Sequence, residues 1–160
     1  MTHTIVFQLV PIDRLRSHEE IDEAKVEELL RELGRTKRFL EPIWVARESN
    51  VILNGHHRVE ALRRLGAHRV PAWVVDYHSP AVKLDRWEPG PPIEKEEVVR
   101  RAHGRELFPP KTTKHRIEVD LPPCDVPIEE LIPAGRRPAR AHSRASGRSR
   151  RPAAGASRSG

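Results

Sequence analysis

VILNGHHRVEALRRLG, residues 51–66, is the stretch whose reading decides the fold. An apolar run (Val51, Ile52, Leu53) stops at Asn54–Gly55, and an amphipathic segment follows at once, which reads as strand, tight turn and helix. The helix is expected from about His57 to Leu65, with Val59, Leu62 and Leu65 on one face and Gly66 behind it. Glycine at position 55 lets the backbone turn sharply and lets a ligand approach with no Cβ in the way. The helix start that follows presents unpaired N–H groups and the positive end of its dipole, which suits a phosphate. Arg58 adds a fork-shaped donor matched to phosphate oxygens, and His56 and His57 add two more donors or metal ligands. The turn is an anion cradle but no glycine-rich P-loop, whose pattern is absent. The plainer alternative is an exposed polar helix start with an ordinary cap.

Working outward, residues 4–10 (TIVFQLV) read as a first strand that turns at Pro11. The pattern Ser17–His18–Glu19–Glu20 predicts a capping-box helix start. Val26, Leu29, Leu30 and Leu33 follow at helical spacing, and Gly34 is placed to end that helix. Residues 42–47 and 51–53 look like strands joined through Ser49–Asn50, and 70–77 (VPAWVVDY) like another. This alternation predicts a compact α/β or α+β layer fold. Beyond Tyr77 the proline-rich segment 79–92 reads as an irregular loop, followed by a charged helix from Glu94 to Ala102 stopped by Gly104. Then come the polar run Lys111–Thr112–Thr113–Lys114–His115, a strand at 116–121 and a short closing helix around Pro127–Ile132. VPIDRL at 10–15 and VPIEEL at 126–131 echo each other weakly.

A chain of 160 residues fits one domain plus ends. Hydrophobic residues at 37% and aromatics at 4% allow a modest core. The apolar stretch Ile5–Ile12 is broken by Gln8 and Pro11 and is far too short to span a bilayer, so neither a signal peptide nor a membrane helix is expected. A single cysteine, Cys124, excludes an internal disulfide and a cysteine-built zinc site, which makes the cytoplasm the expected address. The net charge of +6 belongs to one end. Residues 133–160 hold eight arginines and no acidic residue; without them 21 basic residues face 23 acidic ones. Residues 1–132 are thus slightly acidic, and the Arg/Ala/Ser/Gly/Pro tail has too little apolar surface to fold, so it is expected to be disordered. It is either a plain solvated extension or a loose, salt-sensitive hold, through 136–158, on nucleic acid or an acidic partner.

Three further groups could serve the cradle. Glu19 is a candidate general base, or simply an acid complementing a helix dipole. Lys111, Thr112, Thr113, Lys114 and His115 suit phosphate or substrate, or form a solvated basic loop. Trp87 could stack on a ligand or pin its loop to the core. Trp44 and Trp73 sit mid-strand and are expected in the core, while His3, His68, His78, His103 and His142 show no ligand spacing and read as surface residues.

The run from His18–Glu19 through Pro42–Ile43 to residues 52–66 and 70–77 resembles the ParB/sulfiredoxin-like superfamily, where Gly55–x–x–Arg58–x–x–Ala61 is the shared pattern. GHHR (55–58), VVDYHSPAVKLDRWEP (74–89) and FPPKTTKH (108–115) resemble, more narrowly, the free-serine kinases, which phosphorylate the hydroxyl of L-serine from a nucleotide. The resemblance covers nearly all of 5–132, without a central insertion of the archaeal kinases near Pro89–Glu97. It implies an α+β fold with a compact mixed sheet and flanking helices over 1–132, and a phosphotransferase using ATP or ADP with Mg²⁺ on a small hydroxyl substrate. It assigns Glu19 as catalytic base, Gly55, His56, His57, Arg58, Lys111, Thr112 and Thr113 to nucleotide phosphate, and Trp87 and His115 to substrate. Phosphoryl transfer needs chiefly positioning and charge neutralisation, which such a set can supply.

One position departs from the kinases: Asn54 stands where they carry a catalytic aspartate, and an amide neither acts as a base nor supplies negative charge. Sulfiredoxin chemistry is excluded, because His56 occupies the place of the nucleophilic cysteine. The alternatives are a ParB-like nucleotide-binding sensor and a DNA-associated partition or regulatory protein. The second lacks the helix-turn-helix block expected after the nucleotide domain, and its DNA face would be acidic.

Overall fold

The computed structural model describes residues 5–134. In chain order the elements are β1 (Ile5–Pro11), α1 (Glu23–Thr36), β2 (Arg38–Phe39), β3 (Ile43–Ala46), β4 (Ile52–Asn54), α2 (His56–Arg64) and β5 (Arg69–Val75). They continue with β6 (Val82–Arg86), α3 (Lys95–Gly104), β7 (Thr113–Ile117) and β8 (Val126–Pro127). A four-stranded mixed sheet runs in the order β1-β5-β3-β4, with β3 and β5 parallel and the outer pairings antiparallel. Two small antiparallel pairs, β2 with β8 and β6 with β7, complete it. This is the α+β architecture that the sequence predicts.

Alternation along the strands sorts their residues to the two faces of the sheet. Ile43, Val45, Ile52, Val70, Ala72 and Val74 join Val26 and Leu33 of α1 and Val59 and Leu62 of α2 in one cluster. Ala46, Val51, Leu53 and Val75 join Tyr77, Val82, Val98 and Phe108 in the other. The helix pair therefore covers one face, while α3 and the antiparallel β6–β7 pair cover the other. Among the described residues, no helix is long and apolar enough to cross a membrane.

Several local readings need correction. Residues 17–20 do not begin a helix: Phe108 N–H donates to the His18 carbonyl and Glu20 N–H to the Phe108 carbonyl, each at 2.8 Å. With Arg16 also bridged to Val51, the segment lies extended between distant partners, and α1 starts only at Glu23, capped by Asp22, whose side chain accepts from Ala24 N–H. Nonlocal backbone pairing outcompetes the local cap. Gly34 does not end α1, and Gly104 lies within α3; the left-handed positions that stop these helices are Lys37 (φ 59°) and Arg105 (φ 58°). Segment 79–92 is not wholly irregular, since Val82 and Leu84 alternate with Lys83 and Asp85 in β6, a pattern hidden by its prolines. The strand placed at 116–121 lies at 113–117, because Thr113 to Ile117 are what oppose β6. Trp44 and Trp73 are half-buried at the margin of the second cluster, and the Trp73 indole donates to the Pro122 carbonyl. VPIDRL and VPIEEL both pass from strand through proline (Pro11, Pro127) into a 3₁₀ turn, and both turns bond to the backbone of His68. His3, His142 and the tail from residue 135 lie outside the described residues.

Candidate functional site

β4 and α2 meet at Gly55, which has φ 110° and serves as N-cap. A Cβ there would lie 2.5 Å from Cγ2 of Ile43, so conformation and space both require glycine. The short turn points the start of α2 at the extended segment 18–22, and the double histidine ties the two together. His18 N–H donates to Nε2 of His56 (3.2 Å), and Asp22 N–H donates to Nε2 of His57 (3.0 Å). Both rings thus accept from backbone at Nε2, which leaves Nδ1 of each as the nitrogen available for a ligand.

Glu19 is the centre of the tied segment and is only 8% exposed. Its Oε2 accepts from Thr112 N–H (3.1 Å), Thr113 N–H (2.6 Å) and the Thr113 hydroxyl (2.7 Å). Lys111, with φ 59°, bends the loop so that two successive N–H groups converge on that oxygen. His18, fully buried, places Nε2 2.7 Å from the Thr113 hydroxyl. His115 sits on β7 with Nε2 2.8 Å from the Tyr77 hydroxyl. Behind it, Lys95 Nζ donates to the Tyr77 and Ser79 carbonyls.

Burial keeps these rings neutral. It pushes His18 down to about 4 against the pull of the Glu19 carboxylate, and it pushes His115 to about 3, with His18 acting in the same direction. His56 is held well below the ordinary imidazole range, first by burial and then by its histidine neighbours. Desolvation also lowers His57.

Glu19, Asn54, Gly55, His56, His57, Thr113 and His115 line one cavity of about 190 Å³, together with Trp87, Lys25, Lys111 and Lys114. Three ammonium groups against one carboxylate make it a site for an anion. Trp87, 51% exposed, lies over its rim with Lys114 Nζ 4.7 Å and Lys111 Nζ 6.0 Å from the ring centre. Larger hollows adjoin it on two sides: one of about 420 Å³ sharing Lys25, His57 and Lys111, and one of about 560 Å³ sharing Trp87 and Lys114.

The structure therefore gathers most of the residues singled out in sequence and sets two apart. Arg58 points away from the cavity, toward the Pro42 carbonyl (3.4 Å) and Glu41 (3.7 Å), and lines hollows of about 390 and 420 Å³ on the opposite side of the turn. The Thr112 hydroxyl donates to the Pro109 carbonyl, so its backbone rather than its side chain serves the site. Sequence reading missed His18 and Lys25. Nothing in their local pattern marks them; Lys25 is one more cation on a charged helix until α1 is docked beside Gly55.

The sequence matches the ParB N-terminal domain family over residues 2–84. The chain belongs to that family. An ATP-dependent L-serine kinase of Desulfurococcus mucosus is 34% identical over 105 residues, 60% of this chain and 41% of that protein. An ADP-dependent L-serine kinase of Thermococcus kodakarensis is 29% identical over 104 residues, 62% of this chain and 43% of that protein. The chain thus spans about two-fifths of the length of these curated relatives. Among solved structures, a free serine kinase mutant in complex with ADP superposes with TM-score 0.71 at 18% identity, over 80% of this chain and 94% of that one. SbnI from Staphylococcus aureus, truncated at its C-terminus, superposes with TM-score 0.69 at 15% identity, over 78% and 88% of the two chains. At these identities the superpositions establish the fold, which this ParB-family domain shares with a free serine kinase solved in complex with ADP.

Proposed function

We propose that this ParB-family domain, taken as residues 1–132, transfers the terminal phosphoryl group of ATP or ADP to the hydroxyl of a small acceptor, L-serine by kinship. The observation that carries the reading is Glu19, a buried carboxylate held by three donors at the edge of a lysine-rich cavity that opens at the start of α2. In the reaction Glu19 takes the acceptor's hydroxyl proton, and the acceptor oxygen bonds to the terminal phosphorus. The bond from phosphorus to the bridging oxygen breaks, and the shortened nucleotide leaves with that electron pair. Lys25, Lys111, Lys114 and the α2 N-terminus neutralise phosphate charge, and Trp87 covers the acceptor.

Among the described residues there is no cluster of three or more histidine, cysteine, aspartate or glutamate side chains that would cage a metal. The cavity does offer the Asn54 amide oxygen, which suits Mg²⁺ arriving on the nucleotide with its waters. Such an ion would neutralise charge on the transferring phosphoryl group.

The deciding experiment incubates purified protein with L-serine, Mg²⁺ and either ATP or ADP, and looks for O-phosphoserine by mass spectrometry. Glu19→Gln should lower turnover by at least about 100-fold while nucleotide still binds. Equal turnover in wild type and Glu19→Gln would remove Glu19 from the chemistry. A second reading, a nucleotide-binding sensor without catalysis, is favoured by Asn54, which leaves the cavity with one carboxylate. Nucleotide binding without product from either donor would select it.

A further inference from the structure

The Thr113 hydroxyl has one proton and two close partners: Oε2 of Glu19 and Nε2 of His18, each at 2.7 Å. An ionised carboxylate can only accept, so the hydroxyl proton goes to Glu19, and Thr113 must accept from the imidazole. His18 is completely buried. With its own proton committed to Glu19, the hydroxyl requires a proton on Nε2 of the ring. The result is a directed chain: His18 Nε2–H to Thr113 Oγ1, then Thr113 O–H to Glu19 Oε2.

Among the described residues, all three hydrogen bonds to Glu19 fall on Oε2, and none reaches Oε1. We propose that His18 and Thr113 are positioning residues that pin Oε2 and present Oε1 of Glu19 to the acceptor hydroxyl. This rests on the reading of Glu19 as base. His18 does not line the cavity, so its influence must pass through Thr113 and Glu19. A carboxylate freed to rotate mispositions the base at the reacting centre and leaves nucleotide binding intact, so the loss falls on kcat.

The test has one arm that needs no catalysis. In the full chain labelled with ¹⁵N-histidine, ring-nitrogen NMR at pH 7 should show His18 protonated on Nε2, and Thr113→Val should disturb that signal. A ring that carries its proton on Nδ1 and none on Nε2 overturns the proposal. The kinetic arm compares Thr113→Val with Thr113→Ser, and His18→Leu with His18→Gln, which keeps an N–H donor. We expect losses of about 10- to 100-fold in kcat for Val and Leu at unchanged nucleotide Kd, with Ser and Gln restoring most of the rate. Equal rates for Thr113→Val and Thr113→Ser, or losses confined to nucleotide Kd, also overturn it. If His18→Leu does not fold, the Thr113 pair and the NMR decide. If the wild type makes no product from either nucleotide, the base reading has failed, and the NMR arm still tests the hydrogen-bonded chain.

Discussion

Gly55 shows how much one position can fix. Its φ of 110° and the 2.5 Å approach of a hypothetical Cβ to Ile43 predict that Gly55→Ala destabilises the domain by about 1–3 kcal/mol, read from urea unfolding. Burial of His18, His56 and His115 makes a second prediction at this scale. An imidazole whose folded pKa is depressed is neutral in both states above about 6.5 and costs nothing there. Below that, the unfolded chain takes the proton first, so stability falls as pH drops from about 6.5 toward about 4 for His18 and about 3 for His115. By the bottom of its window the cost is roughly 3 kcal/mol for His18 and roughly 5 kcal/mol for His115. Urea midpoints should therefore decline already between pH 6.5 and 5, before carboxylates protonate; a flat profile there would mean the rings are hydrated. Of these residues, Gly55 and Glu19 were legible in sequence because a turn and an acid each have a local signature. His18 was not, since its partner Thr113 is 95 residues away.

At the element scale the start of α1 is the instructive case. Ser17 to Glu20 fit a capping box by pattern, yet their backbone groups bond to Phe108, and Asp22 caps the helix instead. Asp22→Ala should cost about 1 kcal/mol in thermal or urea unfolding, whereas Ser17→Ala should stay within about 0.5 kcal/mol. A larger effect at exposed Ser17 would restore the local reading. β6 was illegible for the opposite reason: its alternation is short and flanked by prolines, and it becomes a strand only because β7 lies beside it.

For the whole molecule, two apolar clusters lie on opposite faces of one sheet whose strands supply residues to both. Shared strands couple the faces, so the domain should unfold in one transition. Leu62→Ala on the α2 side should cost about 2–5 kcal/mol, and Val98→Ala on the α3 side about 1–3 kcal/mol. Both substitutions should move the same calorimetric peak; two separable peaks would mean the faces fold independently. The cationic cavity is also a property of this scale. Lys25, Lys111 and Lys114 come from α1, a loop and β7, and they create a positive site within a stretch that is slightly acidic overall.

The sequence by itself determined the strand–turn–helix at 51–66, the α+β class and family membership, because periodicity, turn chemistry and the Gly55–Arg58 pattern are encoded within a few neighbouring residues. It also located the positive charge in the arginine-rich end. Tertiary structure alone decided which atoms meet: that Glu19 is anchored by a loop more than 90 residues away, that both histidines of the turn accept from backbone, and that Arg58 faces the other side. The reason is physical. Helix, strand and turn preferences act over a few residues, whereas the partner of a buried polar atom is set by where distant segments are packed.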